Sequence, residues 1–375
     1  MNKSLNSLGL MSGTSGDGVD ASVINSDGKG YYKVLINKYF KYSDEISQNI
    51  YKLKRNINNI EDVKIFSTDI NDLERKITLF HSNVVSEFTK KKDFGIDLIG
   101  FHGQTILHSP KNKYSKQLGD GNLLSQLSKK KVIFNFRQND LFQGGEGAPL
   151  SPIFHQLIVK EKKIDLPVCI LNIGGISNLT LIKDFKEESL ISKDIGPGNC
   201  LIDEWIRRNK KGNFDRNGEF ASQGKTNKLI LDQALDDFEN IPANNLNSFD
   251  VNDFEINFLR GLDLEDGAST ITDFTSKIIA SNLIKIISKH NQNISKIILC
   301  GGGRKNKTLI ERIKRDSHNK LEFQTTDDYK VDGDFVESQA FAFLAIRSFL
   351  KLPISFPNTT GCKLPSTGGV LAKNF

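Results

Sequence analysis

The chain has little cysteine, and none of it is paired in sequence. Cys169, Cys200, Cys300 and Cys362 form no CxxC motif, so neither a zinc site nor a disulfide framework is expected. Two of them end or interrupt apolar strand-like runs, where a free thiol behaves as a small hydrophobe. A reducing cytoplasm is the expected compartment. No apolar run approaches the ~18 residues of a membrane span, and Met1–Ser7 lacks the apolar core of a signal peptide. Lys and Arg number 51 against 45 Asp and Glu, a net charge of +6, yet the basic residues are scattered in short groups such as Lys129–Lys131. Without a coherent basic stripe, no nucleic-acid partner is expected. A GxSxG elbow is missing, which argues against a Ser-His-Asp triad. A Walker A loop is missing too. The nearest approach, GEFASQGKT at Gly218–Thr226, has one residue too many between its glycines and no strand before it.

What is present is glycine, in three segments that each follow an apolar run. Leu8–Met11 leads into SGTSGDGVD (Ser12–Asp20), Val168–Leu171 into NIGGISN (Asn172–Asn178), and Ile297–Cys300 into GGGRKN (Gly301–Asn306). Glycine lets backbone N–H groups approach an anion closely, and successive N–H groups form concave anion sites. Three such loops suggest a polyphosphate held between two lobes. At 375 residues, with 38% hydrophobic and 26% charged residues, the chain is long enough for two domains.

Periodicity gives two α/β halves, each opening with a strand, a glycine loop and a second strand. In the first half, strands are expected at Val19–Asn25, Tyr31–Tyr42 and Ile96–Gly100, and helices at Ile46–Leu53 and Ile60–Lys90. In the second, strands are expected at Leu179–Ile182 and Leu190–Ile195, and helices at Ile271–Lys289, from Lys307 to Arg315, and from Phe335 to Leu350. The expected boundaries are 1–140 plus about 345–375 for one domain and 141–344 for the other.

Candidate chemistry sits at strand ends, where α/β sheets bind ligands. Ser12, Thr14, Ser15 and Asp17 add hydroxyls and a carboxylate to the first glycine loop, suiting phosphates with Mg²⁺ near Asp17. Asp194, opening DIGPGN, is a candidate general base, a helix cap or a magnesium ligand. The GGG run can admit the face of adenine or nearby phosphates before a helix. Arg137, in Asn135-Phe136-Arg137, can fork onto a carboxylate or phosphate. His102 lies in the polar segment His102–Thr105, and Glu337 opens the final helix, where an acidic group is favoured in any case.

These segments together carry a resemblance. GLMSGTSGDGVDASV (Gly9–Val23), GFHGQTILHSP (Gly100–Pro110), QLGDGN (Gln117–Asn122), NFRQNDLFQGGEGAPLSPIFH (Asn135–His155), LNIGGISNLT (Leu171–Thr180), DIGPGNCLID (Asp194–Asp203), FDRNGEFASQGK (Phe214–Lys225), CGGGRKN (Cys300–Asn306) and DGDFVESQAFAFLA (Asp332–Ala345) resemble, in order, the anhydro-N-acetylmuramic acid kinases of bacteria. The resemblance implies the actin/Hsp70/sugar-kinase fold, with two ribonuclease-H-like domains flanking a nucleotide cleft. It implies ATP and Mg²⁺ as cofactors, and 1,6-anhydro-N-acetylmuramic acid as substrate. The sugar would be phosphorylated on O6 while water opens the ring. It implies Asp194 as the base; Gly13, Thr14, Ser15, Gly16, Asp17, Gly18, Val19 and Asp20 with Gly174 and Gly175 around the phosphates, Asp17 toward the metal; Gly301, Gly302 and Gly303 near adenosine; and Arg137, Glu337 and His102 on the sugar side. A cytoplasmic homodimer with no nucleic-acid or membrane partner is implied. The alternatives are a non-catalytic actin-like nucleotide-binding protein and a kinase of another sugar. The chain departs from the family pattern at Gly16 (usually Leu, so a looser loop is expected), Ile195 (usually Thr), Glu146 (commonly Gln) and the stretch 242–254.

Overall fold

The computed structural model describes residues 4–90, 95–239, 254–290, 294–318 and 321–375; of the divergent 242–254 stretch, all but Phe254 lies outside them. The chain forms two compact units. The first comprises Met1–Ile164, Phe185–Leu190 and Phe335–Phe375; the second comprises Asp165–Asp184 and Ile191–Asp334. Residues 141–164 and 335–344, expected in the second domain, therefore lie in the first unit. The reason is aromatic packing. Phe154, in helix Pro152–Glu161, meets the Phe343 ring at 5.7 Å and the Tyr32 ring at 5.1 Å.

The first unit is built on β1 (Leu5–Ser12), β2 (Gly18–Ser26), β3 (Tyr32–Lys41), β4 (Leu98–Ser109), β5 (Tyr114–Leu118) and β6 (Lys131–Phe134). Strands β1, β2 and β3 form an antiparallel meander. Then β4 and β6 add in parallel on the other side of β1, the C-terminal strand Val370–Ala372 closes that edge, and β5 pairs with β4. Helix Val336–Phe349 packs against β1, β2 and β4 and is almost wholly buried. It lies so close that a Cβ on Gly9 would stand 1.9 Å from the Ser338 carbonyl oxygen, and one on Gly100 2.2 Å from that of Phe341. Glycine in these two strands is therefore a packing requirement.

The second unit repeats the plan. Strands β7 (Val168–Ile173), β8 (Ile176–Ile182) and β9 (Ile191–Pro197) form the meander, and β10 (Lys296–Cys300) and β11 (Glu322–Thr325) add in parallel beside β7. Both sheets thus have the order 3-2-1-4-5 of a ribonuclease-H-like domain, as expected from the duplicated strand–loop–strand opening. Helix Leu264–Lys289 covers one face. It starts a full two turns before the expected Ile271, because the Asp263 side chain caps the Asp266 N–H and Glu265 and Asp266 favour the first turn. The expected helix Ile60–Lys90 is two, Ile60–Ile65 and Ser67–Thr89, separated at Phe66. The polar segment His102–Thr105, expected at a strand end, is the middle of β4. Among the described residues no helix is long and apolar enough to cross a membrane.

Candidate active site

In the first unit, the turn between β1 and β2 is held by its carbonyls. Gln104 Nε2 donates to Gly13 O at 3.1 Å and Lys54 Nζ to Thr14 O at 2.8 Å; the Tyr42 N–H and the Tyr39 hydroxyl donate to Asp17 O at 2.9 and 3.1 Å. A trans peptide points its N–H opposite its C=O. Those anchors therefore turn the N–H groups of Thr14, Ser15 and Gly18 away from the protein partners, as a phosphate cradle requires. Thr14, Ser15 and Asp17 are exposed, and the Ser15 hydroxyl donates to the Asp17 carboxylate at 2.5 Å. Val19 is buried in β2 and Asp20 half-buried beside it, so these two frame the turn from the strand. Gly16 is buried with φ of 63°, and a Cβ there would lie 2.7 Å from Ile50 Cγ2. Where the family's leucine is missing, Ile50 lies against Gly16, and the left-handed backbone suits glycine.

The three sugar-side candidates gather at one end of this unit. The strand register pairs Leu10 with Phe101 and Met11 with Gly103, leaving His102 as the extra residue of a β-bulge. Its Nδ1 lies 2.8 Å from Gly103 O, and Arg137 Nη2 lies 2.9 Å from its Nε2. A guanidinium only donates, so Nε2 accepts and the proton sits on Nδ1. Burial, reinforced by the Arg137 charge, holds the His102 pKa well below its ordinary value, so the ring stays neutral. Both ring nitrogens are thus committed within the protein, which makes His102 a support for Arg137. The other fork of Arg137 donates to Gly147 O at 2.7 Å. That loop is fixed by buried Asp140, which accepts from Gly147 N–H at 2.7 Å and the Thr360 hydroxyl at 2.6 Å, while the backbone of Glu146 donates to Thr360 O. Phe341 packs its ring 4.5 Å from that of His102, and Glu337 lies one helical turn before Phe341 on the same helix face.

In the second unit, the carbonyls of Gly174 and Gly175 accept from the start of helix Cys200–Arg208. Asn199 N–H and Nδ2 donate to Gly174 O at 2.8 and 3.1 Å, and the N–H groups of Gly198 and Cys200 donate to Gly175 O at 2.8 and 3.2 Å. The N–H groups of Gly175 and Ile176 consequently face the other way. Strand β9 runs through Pro197, directly before the donors of Gly198, Asn199 and Cys200.

The three glycines after β10 divide. A Cβ on Gly301 (φ 77°) would meet Asn172 Oδ1 at 2.4 Å, and one on Gly303 would meet Ile173 Cγ2 at 2.2 Å; Gly302 alone faces open space. They enter a 3-10 turn, Gly302–Lys305, and Asn306 caps the following helix through Leu309 N–H, so the glycines do not themselves open that helix. Arg304 braces the turn by donating to Gly301 O, Asp327 and Asp334.

Sequence reasoning missed a row of side chains running across these strands. The registers place Cys300 opposite Asn172, Asn172 opposite Asn178, and Asn178 opposite Asp194. Directly opposed residues share one face of a sheet, so the row crosses β10, β7, β8 and β9 and ends on the buried Asp194 carboxylate. Ile195 next to it has no opposed residue: β9 bulges there, Asn282 Nδ2 donates to its carbonyl at 2.8 Å, and its side chain joins the apolar core. The residue that replaces the family's threonine therefore faces the core, away from the row. Asn172, a lone asparagine in the otherwise apolar run of β7, was the available signal.

For a metal, no group of three or more His, Cys, Asp or Glu suited to binding occurs among the described residues. Mg²⁺ bound to a nucleotide usually needs only one or two carboxylates, the rest being water and phosphate. Exposed Asp17, beside outward-turned amides, fits that need.

The family model for anhydro-N-acetylmuramic acid kinase matches residues 6–374. An anhydro-N-acetylmuramic acid kinase of Pelagibacter ubique is 53% identical over 375 residues, covering 100% of both chains. One of Zymomonas mobilis is 38% identical, covering 96% of this chain and 98% of its own. Among solved structures, a ROK family glucokinase from Streptomyces griseus in complex with glucose and AMPPNP superposes with a TM-score of 0.39 and 11% identity, over 91% of this chain and 99% of its own.

Proposed function

The chain belongs to the anhydro-N-acetylmuramic acid kinase family, and from that premise we propose that it uses ATP to phosphorylate O6 of 1,6-anhydro-N-acetylmuramic acid while water opens the anhydro bridge, giving N-acetylmuramate 6-phosphate. The observation that carries the residue assignment is Asp194: a buried carboxylate in the middle of β9, closing a polar row that begins beside the glycine turn. Asp194 takes a proton from water as the water oxygen bonds to C1. The C1–O6 bond breaks, as in glycoside hydrolysis with a carboxylate base. The freed O6 bonds to the γ-phosphorus and ADP departs. Phosphoryl transfer rests on in-line placement and charge neutralisation. The amides of Thr14, Ser15 and Gly18 and those following Gly174 and Gly175 supply donors, and the open Gly302 surface suits adenosine. Mg²⁺, held by Asp17, would neutralise charge on the β- and γ-phosphates. Arg137 would hold the lactyl carboxylate, with Glu337 accepting from the sugar. The buried free thiols suit a cytoplasmic protein, and a homodimer is its proposed working form.

The test is turnover of ATP and anhydro-sugar in ¹⁸O-labelled water. Label at C1 and none in the phosphate is expected; phosphorylated sugar with its ring still closed would remove the coupled reaction. Asp194→Asn is expected to lose turnover with ATP affinity nearly unchanged, since an amide cannot take the proton at neutral pH. Parental turnover in that variant would exclude Asp194 as the base.

A further inference from the structure

We propose that Asn178 accepts the second hydrogen of the water whose first proton goes to Asp194. This rests on the kinase reading above and names a residue that the reading does not include. Asn178 stands directly across from Asp194 on the neighbouring strand, on the same face of the sheet. Its Oδ1 is shut off from solvent and has no hydrogen-bond partner among the described residues. A buried amide oxygen without a partner is rare and calls for a ligand or water. The bulge at Ile195 sits beside this pair and is pinned by Asn282.

An attacking water has two hydrogens. Asp194 removes one in the transition state. The other needs an acceptor in a site that excludes bulk water, and a neutral amide oxygen supplies one without competing for the proton. Two acceptors side by side also fix the direction of the oxygen lone pair, which is how positioning groups lower a barrier. No bond to Asn178 forms or breaks.

A nucleophile that lacks the second hydrogen tests this. Methanol carries a methyl group there, and the parent enzyme, assayed with ATP and anhydro-sugar in water containing methanol, is expected to give hydrolysed N-acetylmuramate 6-phosphate and no methyl glycoside. Asn178→Ala is expected to lose roughly 10- to 100-fold in kcat, keep its KM for ATP, and form the methyl glycoside 6-phosphate, read by mass spectrometry. Asn178→Asp keeps the shape and an acceptor. It is expected to go on excluding methanol, while its added negative charge moves the acid limb of the kcat/KM profile upward by about one pH unit. A merely structural role would leave the product ratio unchanged, with no methyl glycoside from the alanine variant. Methyl glycoside from the parent, an alanine variant with the parental product ratio, or an unshifted acid limb in Asn178→Asp would each overturn the proposal while leaving the kinase reading intact. If the alanine variant does not fold, the acid limb of the aspartate variant decides. No turnover by the parent would overturn both.

Discussion

His102 is a neutral acceptor for the Arg137 guanidinium, whose proposed task is to present its charge to the sugar. Its ring keeps the Nδ1–H tautomer because Gly103 O takes that proton, and burial with the Arg137 charge prevents a second one from binding. His102→Leu is expected to raise the KM for the sugar roughly 10- to 100-fold, the usual effect of losing a hydrogen bond to a charged group, with the KM for ATP unchanged. His102→Gln, which restores an acceptor, is expected to recover most of that loss. Because the ring does not titrate near neutrality, the parent pH profile should carry no limb from it. Equal sugar KM values in the two variants would show that the hydrogen bond does not orient Arg137. Both residues were legible in the sequence, each as a lone candidate. Their partnership was not, because it depends on β4 and β6 lying side by side and on a bulge at position 102, neither of which leaves a local pattern.

At the level of elements, the strand–glycine–strand motifs were read correctly because glycine and apolar runs are local signals. What each glycine does was not legible, since that depends on what packs against it. Gly301 and Gly303 are demanded by the end of β7, and only Gly302 is open. Gly303→Ala is expected to cost about 1–3 kcal/mol as its methyl group drives into Ile173, seen as a lowered melting temperature. Gly302→Ala is expected to melt with the parent and to change only the KM for ATP. A Gly302 variant that destabilises as much as the Gly303 variant would refute this division of roles. The Asn172–Asn178–Asp194 row escaped detection for the same reason. Register between strands creates it, and asparagine in a sequence reads first as a turn residue.

At the scale of the molecule, the duplication was visible in sequence but the partition was not, because the first unit is assembled from three separate stretches of chain. The shortest, Phe185–Leu190, is stapled there by Arg347. This arginine is buried, and its two terminal nitrogens donate to both Glu187 oxygens at 2.9 and 2.8 Å. The same unit holds four of the six histidines: His81, His102 and His155 are buried, His108 is half-buried, and all four stay neutral near pH 7. Burial pushes His81 down to about 4 and His155 to about 3; burial with the Arg137 charge pushes His108 to about 3 and His102 well below its ordinary value. Each depressed histidine binds its proton in the unfolded chain before the folded one. Their contribution is therefore complete above pH ~6.5 and is lost as pH falls from there toward the folded values. Four such groups give a slope of about 5 kcal/mol per pH unit within that window, large against a total stability of about 5–15 kcal/mol. In the second unit, His290 is shifted down chiefly by burial and is only partly enclosed, so it adds little. Acid should therefore open the first unit before the second. Pulsed hydrogen exchange at pH 5 and 7.5 is expected to show amides of β1 and β4 losing protection at the lower pH while those of β7 and β10 keep theirs. Equal loss in both sheets would mean that the buried histidines do not set the acid limit of this fold.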